Sequence, residues 1–90
     1  MSVKINIPSY LQPYVNDSEV VEVPGNTAEE CLTRLVEQFP GMGKMLFARE
    51  GKLHDHVSIY VNGEVAYADE LAKPVGDGDE LHVLYILGGG

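Results

Sequence analysis

The clearest structural signal in the chain is the stretch TAEECLTRLVEQF, residues 27–39. Thr27 and Glu30 have the spacing of a capping box, in which the hydroxyl accepts a free helix N–H and the glutamate reaches back. Behind this cap, apolar residues recur at steps of three and four and therefore share one helical face: Ala28, Cys31, Leu32, Leu35, Val36 and Phe39. Pro40-Gly41 ends the pattern, so the stretch predicts one amphipathic helix.

Two segments before this helix alternate apolar and polar residues, which is the period of a half-buried strand. They are residues 3–7 and 19–23, and we expect them to pair as an antiparallel hairpin. The intervening residues 9–18 contain Pro13, Asn16 and Asp17 and are predicted to form a loop.

The same alternation returns after the helix, at residues 57–61 and again in a long last strand at 80–87. Asn62-Gly63 predicts a type I′ hairpin turn into a short strand at 64–66. A short helix is expected within residues 43–49, and Leu71 and Val75 are predicted to fill the core. The whole predicts an α+β domain in two layers, a mixed four- to five-stranded sheet with one main amphipathic helix packed on one face.

The charge, hydropathy and length of the chain disfavour several classes of function. The 90 residues include 14 acidic and 6 basic side chains, a net charge of −8. This charge disfavours nucleic acid and anionic membranes as partners and is compatible with a basic protein surface. No apolar run reaches the ~18 residues of a membrane span, and we expect a cytoplasmic protein. A chain this short rarely encloses a catalytic pocket, so an enzyme is not expected.

Three groups of residues carry chemistry in other proteins and are given structural roles here. His54 and His56 lack a third ligand at metal-site spacing and are interpreted as a solvent-facing pair entering a strand. Cys31 lies on the apolar helix face and predicts a buried, inert thiol. Asp77-Gly78-Asp79 lacks the ligand ladder of a calcium loop and predicts a turn. No metal site is therefore expected.

The chain ends in Gly88-Gly89-Gly90. An inert tail is one interpretation, and a tail whose terminal carboxylate reacts is the other. Glycine has no Cβ, so such a tail can thread a narrow channel, and three or four extended residues reach about 10–14 Å. A carboxylate reacts only after activation, as in an acyl-adenylate, so the second interpretation requires a separate enzyme that uses ATP.

These features together resemble the MoaD/ThiS family of ubiquitin-like β-grasp sulfur carriers. The resemblance extends over essentially the whole chain and rests on Gly51-Lys52-Leu53, Val61-Asn62, Asp77-Gly78-Asp79-Glu80 and Gly89-Gly90. Within the family, Ile7-Pro8 and the segments 51–54 and 57–62 are most similar to the CysO-type carriers, which feed sulfur to cysteine synthesis.

The resemblance implies a β-grasp domain at 1–87 and a flexible glycine tail at 88–90, in which Gly88 and Gly89 thread into the partner. A MoeB/ThiF-like adenylating enzyme would activate Gly90 with ATP, and a sulfur donor would convert it to a thiocarboxylate. A synthase would then use that sulfur in sulfur amino acid, molybdopterin or thiamine biosynthesis. The carrier itself would bind no permanent cofactor. A tail-processing protease is a further candidate partner.

The resemblance also implies docking residues for the partner. Leu84 and Val65 match positions where relatives present exposed apolar side chains, and His82 and Leu87 complete the candidate set. Strand alternation places His82 and Leu84 on the sheet face opposite the helix. The alternative is that Leu84 packs against Leu71 or the segment 66–75.

Two other functions remain open at this stage. The chain is also compatible with a ubiquitin-like modifier whose Gly90 forms isopeptide bonds with lysines, and with a β-grasp binding module that has an inert tail. Intact mass of the protein from its host separates the three.

Overall fold

A computed structural model of the chain describes residues 2–65 and 70–85. The strands within these ranges are β1 (Val3–Asn6), β2 (Val20–Val23), β3 (Phe47–Arg49), β4 (Lys52–Leu53), β5 (Val57–Val61), β6 (Glu64–Val65) and β7 (Glu80–Tyr85). The helices are α1 (Ala28–Gln38), α2 (Met42–Leu46) and two 3-10 helices, Ser9–Val15 and Glu70–Ala72.

Five of the strands form one sheet in the order β2-β1-β7-β5-β6, and β3 pairs with β4 in a separate hairpin. β1 and β7 run parallel, whereas the pairs β1–β2, β5–β6 and β5–β7 are antiparallel. The predicted mixed sheet is confirmed, and so is the antiparallel pairing of the first two strands. β7 lies in the middle of the sheet, although it is the last described strand along the chain.

The predicted amphipathic helix is α1, and its cap is confirmed. Thr27 Oγ1 accepts a hydrogen bond from the Glu30 backbone N–H at 3.2 Å. The Glu30 carboxylate reaches one residue farther back than in the usual capping box and accepts from the Asn26 N–H at 2.9 Å. These two bonds satisfy the backbone N–H groups of Asn26 and Glu30 at the N-terminus of α1.

The core lies between α1 and one face of the five-stranded sheet. Alternate strand residues point into it and are buried, among them Ile5, Ile59, Leu81 and Val83. The helix contributes Ala28, Cys31, Leu32 and Leu35. The burial pattern therefore confirms the predicted inward residues on both layers, and it leaves the opposite sheet face free of α1.

The segment predicted as a loop between the first two strands is instead a 3-10 helix, Ser9–Val15. Its Pro13 and polar residues are typical of a loop, but Leu11 and Val15 are fully buried and hold the segment against the core. The helix ends at Asn16 and Asp17, both with positive φ, at 56° and 59°. Asparagine and aspartate tolerate this left-handed conformation better than most residues.

The short helix expected within residues 43–49 is α2, at Met42–Leu46, but Phe47–Arg49 is a strand and not helix, because it pairs with Lys52–Leu53. The other predictions for the segment after α1 that the described residues test are confirmed. Asn62 and Gly63 have φ of 50° and 84°, as the predicted type I′ turn requires. Val75 is buried and Leu71 packs against the core. β7 is described as far as Tyr85. Ile86 and Leu87 of the predicted strand, and the predicted domain boundary at residue 87, lie outside the described residues.

Candidate functional site

The strand that carries the candidate tail is held on both sides. β7 pairs with β1 through Lys4–Glu80, Ile5–Leu81 and Asn6–His82, and with β5 from Val61–Leu81 to Val57–Tyr85. Gly88, Gly89, Gly90 and Leu87 of the predicted site follow this strand and lie outside the described residues. The geometry of the site is therefore that of the strand leading to the tail and of the two sheet faces beside it.

The face of the sheet opposite α1 is called the outer face here. Strand register brings two of the predicted docking residues, His82 and Leu84, onto it. Leu84 is directly opposite Ser58, and His82 is opposite Tyr60, which in turn pairs with Val65. Directly opposed residues of an antiparallel pair project to the same face. The predicted placement of His82 and Leu84 is thus confirmed, and Val65 has its register position beside them.

Leu84 is half-buried on the outer face, and its environment decides between the two interpretations of this residue. Leu71, the alternative packing partner, packs against the core, and the 3-10 helix that contains it contacts α1. The sheet therefore separates Leu71 from Leu84. The rest of that alternative, contact with residues 66–69, lies outside the described residues.

A polar cluster adjoins Leu84 on the outer face. The Asn6 side-chain amide donates to Glu80 Oε1 at 3.1 Å and to the Leu81 carbonyl at 3.2 Å, and its nitrogen lies 3.4 Å from His82 Nε2. The Glu80 carboxylate and His82 Nε2 are 4.0 Å apart. An apolar side chain with a polar rim is the usual composition of a protein–protein interface.

Tyr85, at the end of β7, projects to the sheet face that packs on α1 and takes part in a group of four aromatic side chains. We call this group the tail-root cluster: Tyr10, His54, His56 and Tyr85. The Tyr85 ring contacts Tyr10 edge-on, with centroids 5.3 Å apart, and His56 with centroids 5.1 Å apart. His56 stacks on His54 at 5.0 Å, and His54 Nε2 lies 2.8 Å from the Lys44 carbonyl oxygen. A carbonyl only accepts, so this ring nitrogen donates.

Sequence reasoning missed the tail-root cluster and placed His54 and His56 in solvent. The structure stacks them and leaves both half-buried. The available signal was the pairing of the two long strands, since the register that places Val57 opposite Tyr85 also brings His56 to the end of β7. Tyr10 could not be found in this way because its segment has no strand period.

Burial and local hydrogen bonds shift three titrating groups. Burial, with a contribution from Tyr85, raises the pKa of Tyr10, whose buried hydroxyl has no hydrogen-bond partner among residues 2–65 and 70–85. Burial, with a contribution from Glu30, raises the pKa of Cys31, so the thiol is kept neutral. Hydrogen bonds from the Gly76 N–H and the Asn62 side chain lower the pKa of Asp79.

The remaining candidate ligands are used structurally. Asp77 Oδ1 accepts from the Ser2 N–H at 2.7 Å and Asp79 Oδ2 accepts from the Gly76 N–H at 2.8 Å, which confirms a turn at 76–79. Residues 2–65 and 70–85 contain no group of three or more His, Cys, Asp or Glu side chains that could hold a metal ion. In the same ranges, every helix is too short or too polar to cross a membrane.

The chain is similar in sequence to known proteins over most or all of its length. The sulfur carrier protein CysO of Mycobacterium tuberculosis is 33% identical over 93 aligned residues, covering all of both chains. Small archaeal modifier protein 1 of Haloferax volcanii is 34% identical over 71 residues, 78% of each chain.

The fold has equally close counterparts among solved structures. CysO in the crystal structure of the Amycolatopsis orientalis BexX/CysO complex superimposes with a TM-score of 0.86 at 31% identity, covering 98% of this chain and 99% of that one. This similarity confirms the predicted ubiquitin-like β-grasp fold. The sequence model of the ThiS family matches residues 5–90, from the first strand through the terminal glycines. With the fold, the strand that leads to the tail and this match in agreement, the chain belongs to the ThiS family.

Proposed function

We propose that this chain is a sulfur carrier that acts through the carboxylate of Gly90, and not an enzyme. The observation that supports this most directly is the full-length similarity to a protein named as a sulfur carrier. The family match includes Gly88-Gly89-Gly90, which is the segment that the chemistry requires. The described part of the chain contributes the central strand β7, which precedes this segment.

The proposed reaction has two steps at Gly90. A carboxylate oxygen attacks the α-phosphorus of ATP on an adenylating enzyme, and pyrophosphate leaves. A sulfide or persulfide sulfur then attacks the acyl carbon, and AMP leaves. Where the donor is a persulfide, a second thiol cleaves the S–S bond and becomes part of a disulfide. The product is a thiocarboxylate, whose sulfur is a stronger nucleophile than the oxygen it replaces.

The charge pattern of the chain supports this chemistry. All acidic residues lie at or before Glu80, and residues 81–90 contain no Asp, Glu, Lys or Arg. The acidic body would steer the carrier toward a basic partner surface. The uncharged tail would enter a site that already contains the triphosphate of ATP without adding side-chain charge to it.

The outer face is the proposed contact with the adenylating enzyme. Leu84 supplies an apolar side chain, the cluster around Asn6 and His82 supplies a polar rim, and both lie on or next to the strand that leads to Gly90. The solved complex of the Amycolatopsis orientalis relative with BexX supports a function that depends on partner proteins.

The similarity to CysO favours a synthase of sulfur amino acid biosynthesis as the sulfur acceptor. In that pathway the thiocarboxylate sulfur would attack an enzyme-bound amino acid intermediate. The proposal places the carrier in the cytoplasm, where ATP and the required enzymes occur together.

A second function has its own supporting observation, the 34% identity to a small archaeal modifier protein. In that function the activated Gly90 carbonyl would form an isopeptide bond with a lysine of another protein. Both functions share the adenylation step and differ in the nucleophile that follows it.

Intact mass spectrometry of the chain tests the proposal. The protein is incubated with the adenylating enzyme of its host, ATP and sulfide, and we expect a mass increase equal to exchange of one oxygen for sulfur. Lysine conjugates without this product would favour the modifier. An unchanged mass in the presence of an enzyme that adenylates its own known carrier would contradict both.

A further inference from the structure

We propose that Tyr85 is a positioning residue for the tail. Its ring, held between Tyr10 and His56, fixes the position of Tyr85 on β7, from which the sequence continues to Gly90. This inference rests on the proposed function, because a fixed position of Tyr85 matters only if the residues after it must reach a reacting centre in a partner.

Within the described residues, the end of β7 pairs with only one neighbouring strand. β1 pairs with β7 only as far as Asn6–His82, whereas β5 continues to Val57–Tyr85. Within the described residues, positions 83–85 of β7 are therefore paired on one side only. Strand ends with one partner open more readily than strands that are paired on both sides.

The tail-root cluster supplies the missing lateral contact. Tyr10 follows β1 in the chain, and its ring meets Tyr85 at 5.3 Å with an interplanar angle of 80°. This is the edge-to-face arrangement that aromatic pairs favour. His56 contacts the same ring at 5.1 Å and 44°. Tyr85 is nevertheless 50% exposed, so these contacts hold the ring without burying it in the core.

Both neighbours of Tyr85 are themselves fixed. Tyr10 packs against the core and belongs to the 3-10 helix that Leu11 and Val15 anchor. On the other side, His56 stacks on His54, whose backbone N–H donates to the Leu46 carbonyl at 2.9 Å and whose Nε2 meets the Lys44 carbonyl. The ring of Tyr85 thus connects β7 with two separate parts of the domain.

Loss of this contact would add Tyr85 to the segment that the partner has to position. Residues 86–90 follow Tyr85 and, if fully extended, would span at most about 18 Å. If Tyr85 also detaches from β5, the partner has to order an additional residue before Gly90 reaches the ATP. Ordering one residue corresponds to about a tenfold loss in affinity.

The experiment compares Tyr85→Ala with Tyr85→Phe and with the control Tyr14→Ala. Tyr14 is 44% exposed and lies on the same 3-10 helix as Tyr10. For each variant, kcat and KM of ATP-dependent activation are measured with carrier as the varied substrate, together with amide hydrogen exchange at residues 83–85. We expect Tyr85→Ala to raise KM about tenfold and to accelerate exchange, while the other two variants match the native chain.

His56→Ala gives a second test that leaves Tyr85 in place, and we expect the same direction with a smaller effect. Native KM and native exchange in Tyr85→Ala would overturn the inference. A raised KM with native exchange would also overturn it, since Tyr85 would then act by touching the partner. If the native chain is not activated at all, the proposed function fails, and the exchange rates still decide whether the cluster holds the strand end.

Discussion

Ser58 and Leu84 lie directly opposite each other on β5 and β7, and the smaller of the two is the more buried. Ser58 retains 6% of its accessible surface, whereas Leu84 is only half-buried. In the proposed function, this partly exposed aliphatic side chain would contact the adenylating enzyme.

We expect Leu84→Asp to weaken binding to the adenylating enzyme by about 2 kcal/mol, the scale of an interface hot spot. The aspartate would place an unpaired charge in the apolar part of the contact. Binding is measured by calorimetry and the fold by circular dichroism. Val20→Asp is the matched control, since Val20 is 44% exposed on the same face but on the edge strand β2. Unfolding of Leu84→Asp would show that Leu84 belongs to the core.

Deletion of Gly89 and Gly90, or addition of one bulky residue after Gly90, should abolish activation. The carboxylate would end short of the reacting phosphorus in the first case and be displaced from it in the second. Pyrophosphate release measures activation, and urea unfolding of each variant should be native-like because the core lies elsewhere. Formation of a thiocarboxylate by either variant would contradict a role for the glycine carboxylate.

Gly25→Ala should destabilise the domain, because a Cβ at this position would lie 2.7 Å from Cys31 Sγ and 3.0 Å from the Cys31 backbone nitrogen. Such overpacking should lower the free energy of unfolding by about 1–3 kcal/mol. Urea unfolding at neutral pH measures this difference. Gly43→Ala is the control. Its Cβ would meet Val36 Cγ1 at 3.4 Å, an ordinary contact, and alanine within α2 should leave stability equal or up to about 1 kcal/mol higher. Equal stability of Gly25→Ala and the native chain would show that the α1 entrance is not tightly packed.

Asp79 should make folding stability depend on pH in the acid range. Its pKa is lowered by the hydrogen bonds from Gly76 and Asn62, so the folded state favours the ionised carboxylate. The stabilisation is present above the unfolded pKa of about 3.9 and is lost as the pH falls through the lower folded value.

We therefore expect Asp79→Asn to be less stable than the native chain at pH 7, with a difference that shrinks below about pH 4. Denaturant unfolding across this range gives the comparison. Asp55→Asn is the control, because the Asp55 side chain is 98% exposed and should have little effect. A difference that does not change with pH would show that the hydrogen bonds at Asp79 do not require its charge.

The features of this fold that depend on a few neighbouring residues were predicted correctly from the sequence. The three- and four-residue steps of α1, its Thr27 cap and the Asn62-Gly63 turn are properties of short segments, and all three were found. The alternation of β7 likewise placed His82 and Leu84 correctly. The resemblance to the family also rested on short segments, among them Asp77-Gly78-Asp79-Glu80 and Gly89-Gly90.

The rest depends on contacts between distant segments. The 3-10 helix at residues 9–15 forms because Leu11 and Val15 find a core supplied by other parts of the chain. The cluster of Tyr10, His56 and Tyr85 needs the strand order, which no short segment contains. For the same reason the residues proposed to position the tail were absent from the predicted site.

The parallel pairing of β1 with β7 would determine which molecules of the protein can be activated. Asn6 and His82 are neighbours in the sheet but lie near opposite ends of the chain. The surface that a partner would recognise is therefore assembled only by closing the largest loop in the topology, which is a late and entropically costly event. A partly unfolded chain has the glycine tail but not this surface. Activation would thus be limited to completely folded molecules, so that ATP and sulfur are not spent on damaged carriers.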